Sequence, residues 1–168
     1  MMLEIALDAD GEWDSSSFWL PLAKRAAQAA IAESAYPELC DSDRAVEISV
    51  TLSGDEQVRT LNAKWRGKDK PTNVLSFPMA DERDLTKANV AATELLLGDI
   101  ILARGVCEAE AAEKGVSVEQ HATHLLVHGT LHLLGYDHKD DNQAADMEVR
   151  EIRALARLGI SNPYEVTA

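Results

Sequence analysis

All five histidines of this chain fall between positions 121 and 138, in HATHLLVHGTLHLLGYDH. His128 and His132 are four residues apart, and on a helix that spacing stacks two side chains on one face. Both rings can then reach one metal ion about 2 Å from each nitrogen. Gly135 permits the left-handed residue that turns the chain. His138, three residues later, can swing back as a third ligand. The pattern H-x3-H-x2-G-x2-H is the metzincin spacing with its glycine in place. Three nitrogen ligands leave a fourth position for water, the signature of catalytic rather than structural zinc. Water bound there would have its pKa lowered toward 7, giving a nucleophile at neutral pH.

Other readings of the stretch stay open. His121, His124 and His128 also share a face, but no turn brings a ligand in from the side. His124 stands one turn before His128, as a contact behind the ligands, a substrate contact or a core histidine. Asp137 either orients a ligand or a water, or shapes the turn. One piece of the zincin motif is missing. The glutamate that follows the first histidine as general base is Gly129 here. Peptide hydrolysis by the standard route lacks its base. A phosphoester substrate asks instead for a metal centre and cations to hold the phosphate.

The cations are concentrated. The chain carries a net charge of −13, with 16 Lys and Arg against 29 Asp and Glu. Globally that repels nucleic acid. Yet Lys64, Arg66, Lys68 and Lys70 lie together in WRGKDKPTNVLSFP (65–78 with Lys64 before it). Taken alone, a short basic run is as readily a solvated turn.

The elements that position these groups follow from periodicity. Leu3–Ala9 and Arg44–Leu52 alternate as strands. A helix starts near Phe18 after Ser15–Ser17, with Trp13, Phe18 and Trp19 as packing anchors. Tyr36–Asp43 reads as a loop. Ser53 caps a helix with Val58, Leu61 and Trp65 on one face. Val74–Phe77, bracketed by Pro71 and Pro78, is an edge strand. Met79–Glu94 reads as a loop, and Leu95–Ala103 as a buried strand. Helices follow at Gly105–Lys114, Ser117–Leu134 (with a Ser117/Gln120 capping box) and Asn142–Leu158. The expected architecture is α+β with a small mixed sheet, one domain over residues 1–168. Cys40 and Cys107 form no CxxC and suit inert thiols in a reducing compartment. No signal peptide or membrane span is visible, so a cytoplasmic protein is expected.

At this point HGTLHLLGYDH (His128–His138) resembles the signature of the YbeY family of bacterial metal-dependent endoribonucleases. WRGKDKPTNVLSFP is similar to that family's arginine loop and PT-[DN]-VLSFP strand. LLGDIIL (Leu96–Leu102) is similar to its LGD-type strand, and the C-terminal helix with its GISNPY ending is also similar. The likeness runs from about Leu52 to Tyr164; the first fifty or so residues agree only in pattern. The family usually has tyrosine before the arginine, where this chain has Trp65.

The resemblance implies a zincin-like fold whose metal-site helix ends in a glycine turn. It implies one zinc ion per chain on His128, His132 and His138, with Arg66 and His128 as catalytic residues. It implies cleavage of single-stranded RNA, with roles in maturing the 3′ end of small-subunit (16S) rRNA and in ribosome quality control. The partners would be rRNA and the small ribosomal subunit with its proteins, not DNA and not a membrane. On that footing Arg66, Lys68 and Lys70 bind the scissile or a neighbouring phosphate, and Asn73 and Ser76 offer hydrogen bonds from the edge strand. Two rivals remain: a metal-dependent hydrolase of another bond, and a non-catalytic ribosome-assembly factor whose zinc only stabilises a docking surface.

Overall fold

The computed structural model describes residues 2–13, 16–86 and 94–165. β1 (Met2–Ala9), β2 (Ala45–Ser53), β3 (Val74–Pro78) and β4 (Glu94–Ala103) form one sheet in the order β1-β2-β4-β3. β1, β2 and β4 run parallel, and β3 closes one edge antiparallel to β4. The mixed α+β sheet expected from the sequence is the one found. Pro78 ends the edge strand, where a missing N–H is tolerated.

The alternation that makes β2 a strand buries Val46, Ile48, Val50 and Leu52. β4 shows the same alternation with a slip: Leu95 and Leu97 are buried, then Ile100 and Leu102. The slip is a bulge. Glu47 pairs with Leu96 but Ile48 pairs with Gly98, leaving Leu97 as the extra residue. One inserted residue reverses which positions face the core, so LLLGDIILA reads as a continuous apolar run. Gly98 carries the bulge at φ +141°, and a Cβ there would lie 2.2 Å from the backbone oxygen of Phe77.

The helices divide unequally between the two faces. α1 (Ser16–Ala32), α5 (Val118–Leu133) and α6 (Asp141–Arg157) pack with the sheet into the main core. α5 is buried along most of its length, with Ala122, Leu125, Leu126, Val127, Leu131 and Leu133 in the core and its histidines on the remaining face, as suits a central helix. Its capping box of Ser117 and Gln120 is formed. Gly129 meets β4: a Cβ there would be 3.0 Å from Ile100 Cγ2. Position 129 is a helix–sheet contact with no room for a side chain unless Ile100 moves. α4 (Arg104–Lys114) also packs on α5. α2 (Asp55–Arg66) covers a smaller cluster of Val58, Leu75, Ile101 and Ala103.

Several local expectations change. β2 runs through Ser53, so the N-cap of α2 is Gly54, and the Ser53 hydroxyl donates to Gln57 instead. Asp55 accepts from the backbone N–H of Val106 at 3.1 Å, joining α2 to α4. Trp65 is 63% exposed although Val58, on the same face, is buried, because Lys64, Trp65 and Arg66 extend past the cluster that α2 covers. Trp13 and Trp19 are buried, but Phe18 is about half exposed against the edge of Trp19. The 36–43 loop contains a 3-10 turn, Pro37–Asp41, that buries Leu39. The 79–94 loop contains α3 (Glu82–Thr86), and its residues 87–93 lie outside the described residues. Cys40 and Cys107 are not joined in a disulfide, and burial pushes Cys107 up to about 12. Among the described residues no helix is long and apolar enough to cross a membrane.

Gly98→Ala should cost roughly 2–4 kcal/mol of stability, through the clash with Phe77 and the backbone conformation together. Denaturant unfolding measures it, and an unshifted midpoint would mean that the bulge does not require glycine.

Candidate metal centre and cleft

The last two turns of α5 and the turn after it bring three imidazoles together. One nitrogen from each of His128, His132 and His138 lies within 4.8 Å of the others, and this is the one such group among the described residues. Gly135, at φ +96°, makes the turn. The Asp137 carboxylate accepts from the backbone N–H of His138 at 2.8 Å, so Asp137 shapes the turn that returns the third ring. His121 and His124 are drawn away from this group. Both are buried and bonded to carboxylates: Glu110 at 2.8 Å for His121, and Glu151, which His128 shares, at 3.1 Å for His124.

The ring orientations test whether a metal fits. His132 Nδ1 donates to the backbone oxygen of Tyr136 at 2.7 Å, and His128 Nδ1 donates to Glu151. With both Nδ1 atoms committed, the Nε2 atoms are the ones left for a ligand, and they face each other 3.0 Å apart. A cation satisfies both. Burial, reinforced by the neighbouring His128, lowers the pKa of His132 to about 4, so its ring is neutral and able to ligate. The donor set therefore suits an imidazole-bound metal.

Glu151 was not singled out by sequence reasoning. It is 1% exposed and sits on the core face of α6, one turn after Met147. Burial alone would raise its pKa. Hydrogen bonds from His124, His128 and Tyr164 outweigh that and hold it near 2. The Tyr164 hydroxyl donates to the same carboxylate, and burial together with that bond raises the phenol above its ordinary value. The available signal was an acidic residue at helical spacing from Met147 and Leu155, which reads as solvent-facing until the partner histidines are known.

A cavity of about 580 Å³ opens beside the imidazoles. Its lining brings together all the expected site residues: His128, His132 and His138 with Arg66, Lys68, Lys70, Asn73 and Ser76. Arg66 ends α2, and Gly67 at φ +68° turns the chain. Buried Asn62, also missed in the sequence, holds the basic loop by donating to the Lys70 carbonyl at 2.9 Å, while the Asn62 carbonyl accepts from Lys68 N–H at 3.2 Å. Asp69, the one acid in that loop, is taken by Arg59 at 2.9 Å. On β3, Val74, Ser76 and Pro78 face the cavity while Leu75 and Phe77 pack behind. The Ser76 hydroxyl has no partner among the described residues. Asn73 is already engaged, donating to Glu110 at 3.0 Å and accepting from Val74 N–H at 2.7 Å.

Residues 16–159 match the family described as Endoribonuclease YbeY. Proteins of that name from Rhizorhabdus wittichii and Sphingopyxis alaskensis are 51% and 52% identical over 168 and 165 residues. The alignments cover 99% and 97% of this chain and 99% and 98% of those proteins. The solution structure of a Thermotoga maritima protein shares the fold, with a TM-score of 0.54 at 22% identity over 97% of this chain and 100% of that one.

Glu151→Gln keeps the shape but removes the charge behind His128, and should weaken metal binding roughly 10- to 100-fold; competition with a chromogenic chelator reads this, and equal affinity would deny Glu151 that role. The pH dependence has a definite sign. His132 is held below 6.5, so between pH 6.5 and about 4 the unfolded chain binds a proton that the folded chain refuses. Glu151 is held below 4.5, so from there to about 2 the same holds. Both shifts make the metal-free protein less stable on acidification. Thermal unfolding of chelator-treated protein should show Tm falling from pH 6.5 to 4, and a rise would contradict the assignments.

Proposed function

Because this chain belongs to the YbeY family of endoribonucleases, we propose that it is a single-strand-specific, metal-dependent endoribonuclease. It acts in maturing the 3′ end of small-subunit (16S) rRNA and in ribosome quality control. One observation carries the catalytic reading: the three imidazoles and the cations Arg66, Lys68 and Lys70 line one cavity. The chain works as a single domain in the cytoplasm, with rRNA and the small ribosomal subunit as partners.

His128, His132 and His138 hold one zinc ion, which when bound supplies a Lewis acid for the phosphoryl group. The remaining work falls to the chain's own residues. Arg66 presents its planar guanidinium to the scissile phosphate and stabilises the charge that builds there. Lys68 and Lys70 hold neighbouring phosphates as point charges, and Ser76 donates a hydrogen bond from β3. Asn73 adds little more, since both ends of its amide have protein partners. Local cations dominate despite the net charge of −13, because salt screens charges beyond about 8 Å. Glu151 keeps the His128 Nδ1 proton in place and so keeps its Nε2 free to ligate. Peptide hydrolysis is disfavoured, since position 129 offers glycine packed on Ile100 and no general base.

The deciding experiment is cleavage of a single-stranded RNA by zinc-reconstituted protein. His128→Ala should abolish cleavage, and Arg66→Ala should lower kcat by roughly 100-fold or more. Cleavage that survives Arg66→Ala intact, or activity on casein with none on RNA, would overturn the proposal.

A further inference from the structure

Three tryptophans are present, and two of them are core residues. Trp13 and Trp19 are buried, and their indole N–H groups donate to the carbonyls of Ser53 and Trp13. Trp65 differs, being 63% exposed in the last turn of α2. It stands one residue before Arg66 and three after Asn62, both of which line the cavity. The backbone beneath it is held by the Gly67 cap and by the bond from Asn62 to the Lys70 carbonyl. The Lys64 ammonium lies 5.1 Å from the ring centroid. Lys64, Arg66, Lys68 and Lys70 have no carboxylate within ion-pair distance among the described residues. An exposed indole on a fixed helix end, set among unpaired cations, is what a strand with both phosphates and open bases recognises. An apolar protein surface would meet the cations unfavourably, and a duplex keeps its bases stacked on one another.

We propose that Trp65 is a stacking platform for an unpaired base of the RNA strand that enters the cleft past Arg66. This rests on the endoribonuclease reading for its ligand and adds what selects a single strand over a duplex. Lys64 reinforces the stack from the ring, while Arg66, Lys68 and Lys70 hold the adjoining phosphates. The base contact is sequence-tolerant, because every base has a face to offer.

Intrinsic fluorescence tests this, since Trp65 is the one exposed indole of the three. A short single-stranded 2′-O-methyl RNA, titrated into the full-length protein, should quench the emission in step with binding. Inorganic polyphosphate, which offers charge without bases, should leave it unchanged. Trp65→Ala should weaken binding of the oligomer roughly tenfold or more and keep the slope of affinity against salt, which counts phosphate contacts. Trp65→Phe should recover most of the affinity. The platform is overturned if Trp65→Ala binds the oligomer as tightly as wild type, or if duplex RNA quenches as strongly as single-stranded RNA. Wild-type protein that neither binds nor cleaves RNA would overturn the endoribonuclease reading and this inference together. Wild-type cleavage with an unaffected Trp65→Ala variant would remove the platform alone.

Discussion

The Glu151 carboxylate is the interaction on which the rest of the site depends. An ion buried to 1% exposure costs several kcal/mol in lost hydration unless hydrogen bonds replace it. Here His124 and His128 from α5 and Tyr164 from the C-terminal segment supply them. The carboxylate thus does two things with one set of bonds. It ties α6 and the segment after it to the central helix, and it sets the rotation of the His128 ring. Stability and ring geometry are therefore coupled through the same atoms, and a change that loosens one loosens the other.

The cationic side of the cleft is built by a different device. No buried ion is needed there. A left-handed glycine ends α2, and one buried asparagine pins the loop that follows by its backbone. The side chains of Arg66, Lys68 and Lys70 are left exposed while their main chain is held. That suits groups that must meet a flexible polyanion. Arg59 keeps Asp69 occupied at the surface, so the loop's own acid does not cancel its cations.

The parts of this arrangement that are local in the chain could be read from it. Four-residue spacing with a glycine turn picked out His128, His132 and His138, and clustering picked out Arg66, Lys68 and Lys70. Prolines marked β3 as an edge. What escaped was set by tertiary packing. Glu151 looks like any surface acid of an amphipathic helix until α5 is laid against it. Asn62 looks like a neutral helix residue until the loop folds back onto it. Trp65 shares a helix face with Val58, but helical periodicity does not report where the covering layer stops. The bulge at Gly98 lies between these cases, since its phase slip is written in LLLGDIILA but reads as unbroken hydrophobicity.

The two facing Nε2 atoms have a consequence of their own. They point at one another because the opposite nitrogens are held elsewhere. Two of the three ring orientations are therefore set by the protein's own hydrogen bonds rather than by an ion. The pair is thus a standing socket, held by the fold, that suits a divalent metal favouring imidazole.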